Sequence, residues 1–344
     1  MTTMLTIAAS SCRRQLIGLR HTPATFSTIY TTYRRMSATR ETPLLLSPAQ
    51  VKDLAKSSKI SVLDATWFMP NSPRNARDEY LTSRIPQAQF LDLDEVASPH
   101  ELGLKHMMPS PEIFADACER IGISPTSHVV IYDSHGVFSS ARALFMFRAF
   151  GHEKSSIIDG GLPRWVAESL PIEMGASTYQ PVKTSYSKPQ LATETVRNYE
   201  QMVTNSSLDL SSPESELVLD ARPRGRYLGQ DPEPRPGLPS GHIPRSFSLP
   251  FDTFLQQHTA PNGNTYTRFL PYTELNAALA KAVGPEEAES IIAGRKPVTT
   301  TCGSGMTAGV LWLGLKLLGV KDVALYDESW TGYASRAQSV VARG

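Results

Sequence analysis

Apolar and polar positions along this chain follow two alternating patterns. Short β-branched runs give way to stretches in which apolar residues recur at helical spacing. Val129–Tyr132, Ala141–Phe150 and Ser156–Ile158 read as strand, helix and strand, and Pro297–Thr301, Ala308–Leu318 and Val323–Tyr326 repeat that order. Runs without polar alternation are typical of strands buried on both faces, so the pattern predicts small parallel sheets with helices on either side. A further helical pattern over Ile113–Ile121 puts Phe114 and Ala117 on its apolar side, with Cys118 beside them as a buried, inert residue.

The pattern also repeats at long range. Val62-Leu63-Asp64-Ala65 returns as Val218-Leu219-Asp220-Ala221, a separation of 218 minus 62, or 156. Arg84-Ile85-Pro86 is echoed by His242-Ile243-Pro244, and Asp94 by Asp252, both at 158. Phe150-Gly151 followed by Ile158-Asp159 answers Leu318-Gly319 followed by Tyr326-Asp327. Long-period similarity of this kind signals copies of one supersecondary unit. The expected architecture is therefore α/β, with two tandem domains at 44–175 and 194–344 and a linker at 176–193. Pro171–Glu216 is rich in Ser, Thr and Pro, with one helix expected over Glu194–Asn205.

Length agrees, since 344 residues exceed what one ordinary core holds. The longest apolar run, Ala308–Leu318, is far shorter than the roughly 20 residues that span a bilayer, so no membrane helix is expected. A net charge of +1 with no basic face gives no footprint for direct nucleic-acid binding. The first forty residues differ: Arg13, Arg14, Arg20, Arg34, Arg35 and Arg40 occur among many Ser and Thr, with no acidic residue before Glu41. That is the composition of a mitochondrial transit peptide over 1–40. Its removal leaves 34 minus 6, or 28, cationic residues against 33 acidic ones, a net charge of −5. A second start at Met36 would give a cytosolic form.

Three cysteines cannot build a disulfide framework, and Cys12 leaves with the transit segment. Cys302 remains, at the end of a strand and followed by Gly303-Ser304-Gly305-Met306-Thr307 before a helix. The glycines let the backbone curl so that loop N–H groups and the helix N-terminus converge on the sulfur, a setting that favours a thiolate or persulfide anion. The matching strand end in the first copy is Asp133-Ser134-His135-Gly136, without cysteine. One copy carries the chemistry and the other is scaffold. A phosphatase would need an arginine six residues after the cysteine, and Ala308 stands there. No second Cys or His lies near Cys302 at metal-ligand spacing, so neither metal nor cofactor is implied.

These features together resemble the tandem rhodanese-like sulfurtransferases, and within them the 3-mercaptopyruvate-using group, from about Leu44 to Tyr333. The resemblance rests on Cys302-Gly303-Ser304-Gly305, on Asp220-Ala221-Arg222 through Gly225-Arg226-Tyr227, on Pro232-Glu233-Pro234-Arg235 and on Gly241-His242-Ile243-Pro244. It implies that Arg226 and Arg235 orient the carboxylate of the donor, and that Gly303, Gly305, Met306 and Thr307 shape the loop that receives it. Met306 departs from the family's usual Val. By the same resemblance, Asp94, His106 and Ser304 would form a proton relay, with His106 one residue looser in spacing than the family pattern. Cys302 would carry sulfur as a persulfide and pass it to thioredoxin, glutathione or cyanide. Thiosulfate-preferring relatives place cations after the cysteine, whereas Gly303 and Ser304 are neutral. A thiosulfate:cyanide sulfurtransferase, a persulfide relay in tRNA thiolation and an inert scaffold are the alternative readings.

Overall fold

The computed structural model describes residues 41–344; the transit segment expected over 1–40, with Cys12 and Met36, lies outside the described residues. The first half runs β1 Leu45–Leu46, α1 Pro48–Ser57, β2 Ile60–Asp64, α2 Ala76–Thr82, β3 Gln89–Phe90, α3 Pro111–Arg120, β4 His128–Tyr132, α4 Ser139–Ala149, β5 Ser155–Ile158 and α5 Gly161–Ala167. The second runs β6 Val196–Arg197, α6 Tyr199–Ser207, β7 Leu217–Asp220, α7 Arg224–Tyr227 and β8 Ser246–Ser248. It continues through β9 Leu255–Thr259, β10 Thr265–Phe269, α8 Tyr272–Val283, α9 Pro285–Ile292, β11 Val298–Thr301, α10 Ala308–Leu317, β12 Val323–Tyr326 and α11 Ser329–Ala334.

Both sheets are five-stranded and parallel, ordered β1-β5-β4-β2-β3 and β6-β12-β11-β7-β8. The two orders superimpose strand for strand, as the internal repeat requires. Every residue of β5, β7, β11 and β12 is buried, which is why these segments read as unbroken apolar or Thr-rich runs rather than alternating ones. Cys118 is buried on α3, and desolvation pushes its thiol well above the ordinary range.

Two departures from the sequence expectation have local causes. The helix expected over Glu194–Asn205 begins later, because Val196 and Arg197 pair with Leu325 and Tyr326 as edge strand β6. Asn198 then starts α6 through a capping box with Gln201. The antiparallel hairpin β9–β10 has no counterpart in the first half and was not anticipated. It reaches the first half, where the Phe269 N–H donates to Asp159 Oδ1 at 3.0 Å and Asn262 Nδ2 donates to the Ala167 carbonyl at 3.0 Å.

The halves meet chiefly through α4 and α10. Gly309 permits this, since a Cβ there would lie 2.8 Å from the backbone nitrogen of Arg142. Phe145 and Trp312 cross edge to face at 5.3 Å within one apolar cluster shared by both halves. Each helix begins at the loop that follows the central strand of its half, so this packing brings the two loops and their surroundings together.

Candidate active site

β11 delivers Cys302 at its carboxyl end, six residues before α10 starts. The loop turns at Gly305, whose φ of +86° suits glycine, and a Cβ there would approach the Asp327 carbonyl to 2.7 Å. That turn aims the Gly305 N–H at Cys302 Sγ, 3.1 Å away. Ser329, the first residue of α11 and itself at φ +51°, supports the loop: its hydroxyl accepts from the Cys302 N–H at 3.1 Å and donates to the Tyr326 carbonyl at 2.9 Å. Trp330 and Thr331 N–H groups hold the carbonyls of Cys302 and Gly303, each at 2.9 Å. Cys302 is only 1% exposed, yet its loop forms a wall of a cavity of about 420 Å³.

Gly303, Ser304, Met306 and Thr307 line that cavity, whereas Gly305 stands behind the wall and bonds the sulfur. Arg226 and Arg235 line it too. Arg235 comes within 3.7 Å of the Cβ position of Gly303, and burial lowers its guanidinium pKa against the opposing pull of Cys302 and Glu233. Glu233 holds the arginine-bearing loop in place. One of its oxygens accepts from Arg222 Nη1 at 2.7 Å and the other lies 3.8 Å from Arg226 Nη1. Arg222 is fully enclosed, forked onto Asp220, bonded to the Gly241 carbonyl at 2.7 Å and stacked 4.3 Å over Trp330. Arg226 is thus linked through Glu233 to the buried Arg222–Asp220 pair at the end of β7.

The first half supplies the opposite wall through Trp67, Met69, Asn71 and Phe138. Behind Trp67 sit Asp94 and His106, with His106 Nδ1 2.8 Å from Asp94 Oδ1 and Trp67 Nε1 donating to Asp94 Oδ2 at 3.2 Å. Burial alone would raise the Asp94 carboxyl pKa; the hydrogen bond and charge of His106, with Trp67 and Lys105, outweigh it and keep it below the usual range. A carboxylate only accepts, so Nδ1 donates to Asp94 and Nε2 is the ring nitrogen left to exchange a proton. Nε2 is buried and has no partner among the described residues. Ser304 Oγ makes no hydrogen bond among the described residues, so Asp94 and His106 are joined here and Ser304 is not joined to them.

Trp67, Arg222 and Ser329 belong to this site but were not singled out from sequence as its residues. Arg222 lay within a quoted motif. Trp67 and Ser329 carried no local signal, since each matters only through a neighbour distant in the chain. No group of three or more His, Cys, Asp or Glu among the described residues is arranged to hold a metal ion.

The chain matches the model of the rhodanese-like domain twice, over residues 47–168 and 204–336. It is 38% identical over 307 residues to the probable 3-mercaptopyruvate sulfurtransferase of Schizosaccharomyces pombe, covering 86% of this chain and 93% of that protein. It is 37% identical to the mitochondrial thiosulfate/3-mercaptopyruvate sulfurtransferase 1 of Arabidopsis thaliana, covering 80% and 72%. The crystal structure of the 3-mercaptopyruvate sulfotransferase SseA from Escherichia coli covers 84% of this chain and 99% of its own, with a TM-score of 0.68 and 30% identity. With a doubled parallel sheet, a cysteine loop in one copy and these matches to both, the chain belongs to the rhodanese family as a protein of two rhodanese-like domains.

Proposed function

We propose that the protein is a sulfurtransferase that takes sulfur from 3-mercaptopyruvate and holds it on Cys302 as a persulfide. The observation that carries this reading is the shared cavity, in which two guanidiniums, Arg226 and Arg235, stand beside an amide-held cysteine. A 2-oxo carboxylate needs such a pair for orientation. The Cys302 thiolate attacks the donor's sulfur, the carbon–sulfur bond breaks, and the electron pair leaves on carbon as the enolate of pyruvate. One proton returns to that carbon, and the Asp94–His106 pair supports its delivery, with Ser304 as the hydroxyl on the cavity side. An acceptor thiol such as glutathione or thioredoxin, or cyanide, then attacks the outer sulfur and restores the Cys302 thiolate. The neutral Gly303 and Ser304 favour a monoanionic donor over dianionic thiosulfate.

The Arg-rich, acid-free first forty residues and the mitochondrial Arabidopsis relative support import into mitochondria, with a cytosolic form beginning at Met36. The test of function is pyruvate release from 3-mercaptopyruvate beside thiocyanate formation from thiosulfate and cyanide, for the wild type and Cys302→Ser. Preference for mercaptopyruvate with an inactive serine variant is expected. Turnover of neither donor would leave persulfide relay between proteins as the reading.

A further inference from the structure

We propose that Arg142 is a positioning residue of the reaction, fixing the His106 segment of the first half in register with the Cys302 loop of the second. The proposal rests on the sulfur-transfer reading above. Arg142 lies on α4 and is 2% exposed. Its Nη2 donates to the His106 carbonyl at 2.9 Å and also to the carboxylate of Asp327, which follows β12 in the other half. The second oxygen of Asp327 accepts the Met108 N–H at 2.8 Å. One ion pair therefore holds the backbone at the His106 carbonyl and again two residues on, at Met108.

That backbone needs holding. His106 has φ +47°, a conformation that L residues with full side chains adopt only where the surroundings impose it. Asp94 fixes the imidazole at one end, and the Arg142–Asp327 tie fixes the main chain that carries it. The same tie lies against the nucleophile loop. A Cβ on Gly305 would meet the Asp327 carbonyl at 2.7 Å and Arg142 Nη1 at 3.3 Å, and the Gly305 N–H is the one bonded to Cys302 Sγ. The proton-handling and sulfur-handling groups, contributed by different halves, thus take their relative position from one guanidinium.

Two observations argue that this cation serves more than cohesion of the fold. Arg142 is the fourth residue of α4; the fourth residue of α10, in the other copy, is Leu311, fully buried and apolar. The repeated fold needs no charge at this point. In addition, Arg142 Nη1 is buried without a partner among the described residues, a cost that an apolar side chain would avoid.

The test compares Arg142→Leu, Arg142→Lys and Asp327→Asn in the full chain, each alone and in combination with His106→Ala. Arg142→Leu should lower kcat for pyruvate release 10- to 100-fold, leave KM within about threefold, and leave alkylation of Cys302 by iodoacetamide within about twofold. Coupling through His106 means that adding Arg142→Leu to His106→Ala costs less than a further twofold. Arg142→Lys, which keeps the charge and loses the fork, should recover part of kcat. If the losses of Arg142→Leu and His106→Ala multiply, or if KM and alkylation fall in step with kcat, the positioning role is wrong. Should Arg142→Leu fail to fold, Asp327→Asn carries the same expectations, because an amide has one accepting oxygen and cannot take both the Arg142 guanidinium and the Met108 N–H. The ¹⁵N signals of the His106 ring report its hydrogen bond to Asp94 without turnover. A wild type that releases no pyruvate sinks the sulfur-transfer reading, whereas unchanged ring signals in both Arg142→Leu and Asp327→Asn sink the positional claim itself.

Discussion

Where β11 delivers Cys302, β4 delivers Asp133, and the two loops have the same length, six residues from strand to helix. In the first half the Asp133 carboxylate accepts the N–H groups of His135, Gly136, Phe138 and Ser140 at 2.8 to 2.9 Å, and the Ser140 hydroxyl at 2.6 Å. That loop is an anion cradle filled by its own chain. In the second half the equivalent of Gly136 is Gly305, whose N–H bonds the sulfur. The equivalents of His135 and Phe138 are Ser304 and Thr307, whose N–H groups donate to no acceptor among the described residues. Replacing a carboxylate by a thiol empties most of the cradle, leaving donors for the outer sulfur of a persulfide or for a developing oxyanion.

The same contrast recurs one strand away. Asp64 ends β2 with only Thr66 as its local partner, and burial raises its pKa to about 6. Asp220, its counterpart on β7, has Arg222 in place of Thr66 and is forked by it. A third pair is Gly161 and Ser329, at φ +52° and +51°. A Cβ on Gly161 would strike the Asp133 carbonyl at 2.3 Å, whereas Ser329 uses the same conformation to reach under Cys302. At these three places the halves differ in side chain while the two five-stranded sheets keep one strand order.

Each contrast can be broken. Cys302→Asp should fill the second cradle as Asp133 fills the first, lowering turnover by about a thousandfold or more through loss of the nucleophile, with melting temperature held or raised. A fall in melting temperature of many degrees would mean that the two cradles are not equivalent. Asp133→Ala removes five donors' shared acceptor from a buried loop. It should destabilise the protein by about 2–4 kcal/mol in urea unfolding while folded protein keeps most of its turnover.

Asp64→Asn tests, through pH, the carboxylate that has hydroxyl and amide partners but no arginine. With a folded pKa near 6 against 3.8 unfolded, the folded wild type retains a proton that the unfolded chain has released, so its stability falls as pH rises from about 4 to about 6. The asparagine variant lacks this slope. Its unfolding free energy in urea titrations, relative to wild type, should therefore improve across that window, by up to about 3 kcal/mol, and stay level above it. A constant difference from pH 4 to 7 refutes the raised pKa. The smallest effect is expected of Ser329→Gly, which relieves backbone strain and deletes the hydroxyl. A three- to tenfold loss in kcat with little change in melting temperature is expected; undiminished kcat would show that the hydroxyl under Cys302 is dispensable.

Much of this was legible without coordinates because its causes are local. The β-branched runs of β4, β5, β11 and β12 report burial on both faces, and Val62–Ala65 against Val218–Ala221 reports the duplication. Gly303 and Gly305 beside Cys302 report a loop that can turn its amides onto sulfur. The family pattern supplied Arg226, Arg235, Asp94 and His106, and the last two meet at 2.8 Å. Edge strand β6 was missed because two residues carry too little pattern to outweigh the helix beside them.

Tertiary structure alone decided how the halves address each other. Met108 and Asp327 are 219 residues apart in sequence, and Arg142 and Asp327 are 185 apart. Their contact depends on the orientation in which α4 packs on α10, set by backbone approach at Gly309 and by the rings of Phe145 and Trp312. Local propensity carries no record of that orientation. The sequence by itself determined two copies of one sheet and a cysteine poised at the end of a strand; the packing of those copies decided which histidine, tryptophan and arginine the cysteine meets, because such contacts are properties of an interface rather than of any segment.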